Sequence, residues 1–206
     1  VTDVNGNSAT CVSTVTVLDT LAPVFSQCPG NATLNSDPNG CYQNYQIVLD
    51  TIFDNCTAAN LINVQLKGRV VANNGVIPMT ISPLGAGGYT ITATFGMPVG
   101  NNRVTVIATD AQGNVDSCEW FVQVNDIWAP IISNCPVDVT VNVNPTACTA
   151  QAFWPVPIPA DNCSGVMMTT QNNNQYFPGY FFPLGTTNVV YTATDASGNT
   201  TTCAFN

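Results

Sequence analysis

A ten-residue motif, T-D-x-x-G-N-x-x-x-C, occurs three times in the chain, at residues 2–11, 109–118 and 194–203. The first two copies are 107 residues apart. The same offset relates five further pairs of residues: Asp19 and Asp126, Cys28 and Cys135, Cys41 and Cys148, Asp54 and Asp161, Cys56 and Cys163. Repetition at a fixed period is typical of arrays of similar modules, so the chain is not expected to form one continuous fold.

The repeat divides the chain into two modules and a leading segment. Residues 20–126 form module one, residues 127–206 form module two, and residues 1–19 correspond to the terminal strand of a preceding repeat. An Asp-x-x-Ala-Pro linker opens each module, and such short, proline-containing linkers predict rod-like stacking. Module one is longer because about 22 residues are inserted within residues 57–96. We interpret this insertion as an extra hairpin.

Apolar residues alternate with polar ones along much of the sequence. In residues 137–143 every second residue is valine, which is the period-two pattern of a half-buried strand. Similar runs occur at residues 12–18, 90–95, 103–108, 120–124 and 188–194. Short strands separated by Gly, Pro and Asn turns predict an all-β protein of two tandem immunoglobulin-like antiparallel β-sandwich modules.

Composition excludes several classes of function. Twelve acids and three bases give a net charge of -9, which disfavours binding to nucleic acid and to anionic membrane surfaces. No apolar run is long enough to predict a membrane span. Nine cysteines without a histidine indicate an oxidised framework and an extracellular or cell-surface location. Since histidine is the commonest general base, its absence also predicts that the chain is not an enzyme.

Several short motifs of module two belong together in one known family. They are Ala129-Pro130, Cys135-Pro136, residues 160–163, residues 182–187 and residues 191–205. In these motifs module two resembles a hyalin repeat (HYR) domain, and module one resembles it less closely because of its insertion. The resemblance implies immunoglobulin-like sandwiches in tandem, in extracellular proteins concerned with adhesion and structural spacing. This Thr- and Asn-rich, four-cysteine version is similar to repeats of large bacterial surface proteins.

Each module has four cysteines, which allow three connectivities. The resemblance implies that the cysteine of the Cys-Pro pair bonds the one that follows Gly-Asn. It therefore favours Cys28–Cys118 with Cys41–Cys56, and Cys135–Cys203 with Cys148–Cys163. Cys11 is left over, and its register assigns it to a module upstream of this sequence. The alternative for Cys11 is a buried free thiol.

Seven of the twelve acids recur in the repeat. In the expected sandwich the linker, one interstrand loop and the Gly-Asn loop meet at one end of each module. Three carboxylates then gather at each of these ends: Asp19, Asp54 and Asp110 in module one, and Asp126, Asp161 and Asp195 in module two. Together they predict a Ca²⁺ site with oxygen ligands. The alternative is that these residues only cap tight turns through their own backbone.

Candidate modification sites and one aromatic segment complete the list of sites. Asn31, Asn162 and Asn199 lie in N-glycosylation sequons, and Thr20 and Thr51 lie in Asp-Thr-aliphatic motifs that resemble bacterial O-glycosylation sites. Five aromatic residues crowd residues 176–182, after a predicted turn at residues 172–174. They are expected either to face the core or to form a contact surface for a glycan or another module.

The two ends of the sequence suggest self-association. Residues 1–19 include a strand without a module, represented by Cys11, Val12, Val15 and Val17, whereas module two stops before its last strand is complete. One chain could add this strand to the next, giving a head-to-tail fibre. The alternative is a section of a longer array. We predict an extracellular structural protein that forms a stiff stalk or fibre, or alternatively an adhesin module that binds a glycan or a protein partner.

Overall fold

The computed structural model describes residues 1–144, 146–170 and 175–206. Within them the chain forms strands, one short 3-10 helix and no α-helix. Module one contains β1 (Val24–Phe25), β2 (Ala32–Asn35), β3 (Tyr42–Gln43), β4 (Gln46–Leu49), β5 (Ile52–Phe53), the 3-10 helix Ala59–Leu61, β6 (Asn63–Val70), β7 (Val76–Ile77), β8 (Met79–Gly85), β9 (Gly88–Ala93), β10 (Met97–Pro98), β11 (Gly100–Thr109) and β12 (Val115–Asn125). Module two contains β13 (Ile131–Ser133), β14 (Thr149–Gln151), β15 (Ile158–Ala160), β16 (Met167–Thr170), β17 (Phe181–Pro183), β18 (Val189–Thr194) and β19 (Thr200–Phe205).

Module one is a two-layer sandwich. One sheet has the strand order β2-β12-β11-β6-β7, and the other has the order β4-β9-β8. All neighbouring strands are antiparallel except β2 and β12, which are parallel. Alternate residues of β11, among them Val104, Val106 and Ala108, are fully buried between the layers. Period-two alternation therefore places one face of each long strand in the core, as predicted for an immunoglobulin-like all-β fold.

The insertion in module one builds most of the second sheet. Its strands β8 and β9 pair as a hairpin, and β9 also pairs with β4. Gly87, at the hairpin tip, has a φ of +82°, and a side chain there would meet the carbonyl oxygen of Ile52 at 2.7 Å. Glycine is therefore required at this turn. The expected extra hairpin is thus part of the sandwich core, because it carries the buried residues Ile91 and Ala93.

Module two has a smaller core. Strands β16, β18 and β19 form its main sheet, and the pairs β13-β15 and β14-β17 flank it. Trp154 and Tyr191 are buried there, and the indole N–H of Trp154 donates to the Tyr191 hydroxyl over 2.9 Å. Of the aromatic segment, Tyr176, Tyr180 and Phe182 are partly buried and contact one another, whereas Phe177 and Phe181 are exposed. The turn predicted at residues 172–174 lies outside the described residues.

Two of the predicted strands do not form. Residues 12–18 and 137–143 alternate well, but neither run is a strand in the structure. In module one, β2 pairs with residues 122–125 of β12. Among residues 137–143, the Val139 N–H donates to the carbonyl oxygen of Asn206 over 2.9 Å, and this one bond does not make the segment a strand. Within the described residues, no strand pairs with residues 12–18, and a strand needs a neighbour for its hydrogen bonds.

Candidate functional site at the junction of the modules

The repeated motif is a tight turn built on its aspartate. In module one, the Asp110 carboxylate accepts hydrogen bonds from the backbone N–H groups of Gln112 and Asn114, over 2.9 and 2.7 Å, and from the Asn114 side-chain amide over 2.7 Å. Asp195 with Asn199 and Asp3 with Asn7 repeat this arrangement. All three copies therefore have the turn chemistry expected for capping aspartates.

The same turn also holds the linker that enters its module. The Asn114 amide donates to the backbone carbonyl of Asp19 over 3.1 Å, and the Asn199 amide donates to that of Asp126 over 3.2 Å. Each of these amides thus bridges its motif aspartate and a linker residue. This contact gives the recurring asparagine of the motif a role, because an amide NH₂ can donate to a carboxylate and to a carbonyl from one nitrogen.

Hydrogen bonding sets the ionisation of the motif aspartates. Burial raises the pKa of Asp110 and of Asp195, but the bonds from Asn114 or Asn199 and from the turn backbone outweigh it, so each pKa lies below its usual value. The carboxylates are therefore charged at neutral pH. Since each folded pKa is lowered, the stability that the turn supplies is present above the usual Asp pKa of about 3.9 and is lost as the pH falls through the folded value.

Three disulfides are formed among the described residues. Cys28 bonds Cys118, and Cys135 bonds Cys203, which are the pairs that the family resemblance implies. The third bond joins Cys41 of module one to Cys163 of module two. Cys56, Cys148 and Cys11 are free and exposed.

The expected pairs Cys41–Cys56 and Cys148–Cys163 are therefore wrong. The reason is positional, because Cys41 lies at the end of module one that meets module two, whereas Cys56 lies at the opposite end, beside the linker residue Asp19. Two cysteines at opposite ends of a sandwich are too far apart to bond. The alternative of a buried thiol at Cys11 is also wrong, because this residue is exposed.

Hydrogen bonds surround the disulfide between the modules. We call this region the junction: residues 36–41 of module one, the linker 126–130, and Asn162 and Cys163 of module two. The Asn162 amide donates to the carbonyl oxygens of Asp37 and Gly40 over 3.1 and 3.3 Å. The Trp128 indole N–H donates to the Ser36 carbonyl over 2.8 Å. A covalent bond and several polar contacts therefore fix the two modules to each other.

The linker aspartate is buried within the junction. Asp126 accepts hydrogen bonds from the hydroxyls of Ser36, over 3.2 Å, and Ser197, over 3.5 Å. It thus contacts both modules. Sequence reasoning identified Asp126 but missed Ser36, Asp37, Gly40 and Trp128. Of these, only Trp128 gave a signal, since a tryptophan in a short linker usually has a packing role.

The predicted grouping of three carboxylates at one end of each module is found in module one and only in part in module two. In module one, carboxylate oxygens of Asp19, Asp54 and Asp110 lie within 4.8 Å of one another, and we call these three residues the acidic cluster. One oxygen each of Asp19 and Asp54 is buried without a hydrogen-bond partner. In module two the corresponding group is Asp126, Asp161 and Cys163, and Asp195 is not part of it. Because Cys163 is in a disulfide, that group has two available ligands.

Cys56 lies beside the acidic cluster. Burial raises the pKa of the Cys56 thiol, and the charges of Asp19 and Asp54 raise it further. The side-chain amide of Asn55 donates to the Cys56 sulfur over 3.0 Å. A smaller fraction of Cys56 is therefore thiolate at neutral pH than for an ordinary exposed thiol.

The structure separates the candidate glycosylation sites. The amide nitrogens of Asn162 and Asn199 each donate to two acceptors, so a glycan on either would displace a contact of the junction or of the motif turn. Asn31 is exposed, and its side-chain oxygen accepts from the backbone N–H of Phe121. Thr20 is exposed and Thr51 is half-buried. Asn31 and Thr20 are thus the sites that modification would disturb least.

Comparison with known families identifies module two. Residues 125–206 match the model of the HYR domain. Module two is therefore similar to a HYR domain over nearly its whole length. The Cys135–Cys203 disulfide, the Asp195 turn and the linker 126–130 lie within the matched residues, and the three disulfides of the chain place it in an oxidising, extracellular environment.

Related proteins contain similar segments. The chain is 37% identical over 110 residues to Sushi, von Willebrand factor type A, EGF and pentraxin domain-containing protein 1 of Mus musculus, covering 52% of this chain and 3% of that protein. It is 29% identical over 221 residues to Hyalin of Strongylocentrotus purpuratus, covering 98% of this chain and 15% of that protein. The chain therefore spans a small part of these relatives. Since both are animal proteins, the expected similarity to repeats of large bacterial surface proteins is not supported.

The solved structures that resemble this chain share little sequence identity with it. The titin fragment A168169 is 14% identical with a TM-score of 0.43, covering 90% of this chain and 98% of that chain. Mouse clustered PcdhgC3 EC1-3 is 11% identical with a TM-score of 0.42, covering 89% of this chain and 66% of that chain.

Within the described residues, no helix has the length and apolar character needed to cross a membrane.

Proposed function

We propose that this chain is a rigid structural segment of an extracellular adhesion-type protein, in which HYR modules are stacked into a stiff stalk. The observation that carries the proposal is the Cys41–Cys163 disulfide between the modules. A linker of a few residues normally leaves neighbouring domains free to reorient. Here a covalent bond, the buried Asp126 and the Asn162 contacts oppose such motion.

In this role the chain acts as a mechanical spacer and catalyses no reaction. The match of residues 125–206 to the HYR domain and the three disulfides support an extracellular structural role. The experiment is a distance measurement between the two modules by double electron-electron resonance, with and without the Cys41–Cys163 bond. A single narrow distance supports a rigid spacer, and an equally broad distribution in both forms contradicts it.

We further propose that the acidic cluster binds Ca²⁺ and stiffens the entrance to module one. Three carboxylates within 4.8 Å repel one another, and two of their oxygens are buried without a partner. The ion pair found among the described residues, Arg103–Glu119, does not involve them. A hard cation with oxygen ligands would satisfy these atoms. The backbone hydrogen bonds of Asp54 and Asp110 would remain, so turn capping and calcium binding are compatible.

Calcium is expected to raise the melting temperature of the chain. Extracellular sites bind with dissociation constants of about 0.1–1 mM, so 10 mM calcium should stabilise module one by roughly 1.4–2.7 kcal/mol. Asp54→Asn should abolish this shift, whereas Asp116→Asn, at an exposed residue of β12, should retain it. The measurement is thermal unfolding followed by circular dichroism in calcium and in chelator. Identical melting curves for the unmodified chain would rule out the site.

An adhesin function through the aromatic segment is the second candidate. Phe177 and Phe181 are exposed beside the partly buried Tyr180, and exposed aromatics are enriched at interfaces. This feature is compatible with a contact to a glycan or a protein, and it does not compete with the rigid junction.

A further inference from the structure

Cys56 and Cys148 occupy equivalent positions to the two cysteines that are bonded at the junction. The 107-residue offset relates Cys41 to Cys148 and Cys56 to Cys163. In the formed bond, the first type of cysteine, Cys41, belongs to one module and the second type, Cys163, belongs to the next. The unbonded Cys148 and Cys56 are therefore one cysteine of each type, and both are exposed.

The surroundings of the two free cysteines repeat those of the junction. On module one, Asp37 and Gly40 form a turn whose carbonyl oxygens receive Asn162. At the equivalent residues of module two, the Ala147 N–H donates to the Asn144 carbonyl over 3.0 Å, as the Gly40 N–H donates to the Asp37 carbonyl over 3.2 Å in module one. On module one, Asn55 is the equivalent of Asn162 and lies next to Cys56. The outer end of module two thus has the acceptor residues of a junction contact, and the outer end of module one has the donor asparagine.

Apolar residues at these outer ends are also complementary. The Ser36–Trp128 contact of the junction corresponds by register to Val143 and Leu21. Val143 is 39% exposed and Leu21 is 61% exposed. Val15 and Val17, equivalent to the fully buried Val122 and Val124, are 84% and 90% exposed. A neighbouring module would cover Val143 and Leu21, as Ser36 and Trp128 contact each other at the junction. Val15 and Val17 would be buried if their segment paired in a sheet as β12 does.

We propose that Cys56 and Cys148 are disulfide half-sites through which the chain is joined covalently, end to end, to further HYR modules, with Cys148 of one module pair bonding a cysteine in the position of Cys56. The partner is a second copy of this repeat. In the reaction the two thiols form one S–S bond, and their two protons and two electrons reduce a small-molecule disulfide such as oxidised glutathione to two thiols. This inference rests on the proposed stalk and specifies how its modules are linked.

The test uses the full chain with Cys11→Ser, which leaves Cys56 and Cys148 as the free thiols. In a glutathione redox buffer this variant should form a ladder of covalent oligomers on a non-reducing gel. Adding Cys56→Ser or Cys148→Ser should each abolish the ladder. An equimolar mixture of these two variants should give a product of two chains only, with at least tenfold more of the mixed dimer than of either symmetric dimer.

Two further variants separate specific docking from random oxidation. Asn55→Ala should slow formation of the mixed dimer, because it removes the equivalent of the Asn162 contact. A chain lacking residues 1–14 should react faster, since those residues duplicate β19 and their hydrogen bonds are to one another. Mass spectrometry should identify a peptide that joins Cys56 to Cys148. Absence of oligomers in both chain lengths, or predominance of symmetric dimers, would overturn the proposal, while the distance between the two modules of one chain would be unaffected.

Discussion

Replacing Trp120 with alanine is expected to lower the free energy of unfolding of module one by about 3–5 kcal/mol, the cost of deleting a large side chain from a packed core. Trp120 is fully buried on β12, and its indole N–H donates to the Tyr45 hydroxyl over 2.6 Å. The alanine variant would leave a cavity between the sheets and a buried hydroxyl without its donor. Burial raises the pKa of that hydroxyl, so it stays neutral over the working pH range.

Tyr45→Phe is the matched control for the hydrogen bond. It keeps the packing of the ring but leaves the Trp120 N–H unpaired, which should cost about 1–3 kcal/mol. Urea unfolding followed by far-ultraviolet circular dichroism gives both values. If Trp120→Ala costs less than Tyr45→Phe, the core described for module one is incorrect.

Removing the Cys28–Cys118 disulfide with two serines is expected to cost module one about 4.6 kcal/mol, because the bond closes a long loop in the unfolded chain. The two cysteines are separated by 90 residues. Most single domains are stable by only about 5–15 kcal/mol, so this variant should be close to unfolding at 37 °C.

The matched comparison is Cys41→Ser with Cys163→Ser. This pair has a larger sequence separation, 122 residues, but connects two modules that each keep an internal disulfide. Its removal should therefore change the unfolding of each module by less than the loss of Cys28–Cys118 does. Equal losses in urea unfolding of the two double variants would show that the modules do not fold as separate units.

The fold class follows from the sequence because its signals are local. Alternation in residues 103–108 and 120–124 places Val104, Val106 and Val122 in the core, and the motif repeats reveal the modules. Alternation does not reveal whether a strand has a partner. Residues 12–18 and 137–143 have the pattern but do not form strands, because pairing depends on residues far away in sequence, which the local pattern does not report.

The junction was only partly predictable. The repeat shows that Cys41 and Cys148 are equivalent, yet a bond within one module and a bond between two modules satisfy that equivalence equally well. The choice depends on which end of the sandwich each cysteine occupies. Asp126 was identified because it recurs, whereas Ser36 and Gly40 have no pattern that distinguishes them from other loop residues.

The central claim is that the Cys41–Cys163 bond and the surrounding contacts hold the two modules in one arrangement. The most direct measurement is the distance between nitroxide labels on Cys56 and Cys148, which place one label on each module, in the Cys11→Ser background. The account predicts one narrow distance distribution by double electron-electron resonance, which broadens when Cys41 and Cys163 are replaced by serine. A distribution that is broad while the disulfide is intact would contradict it.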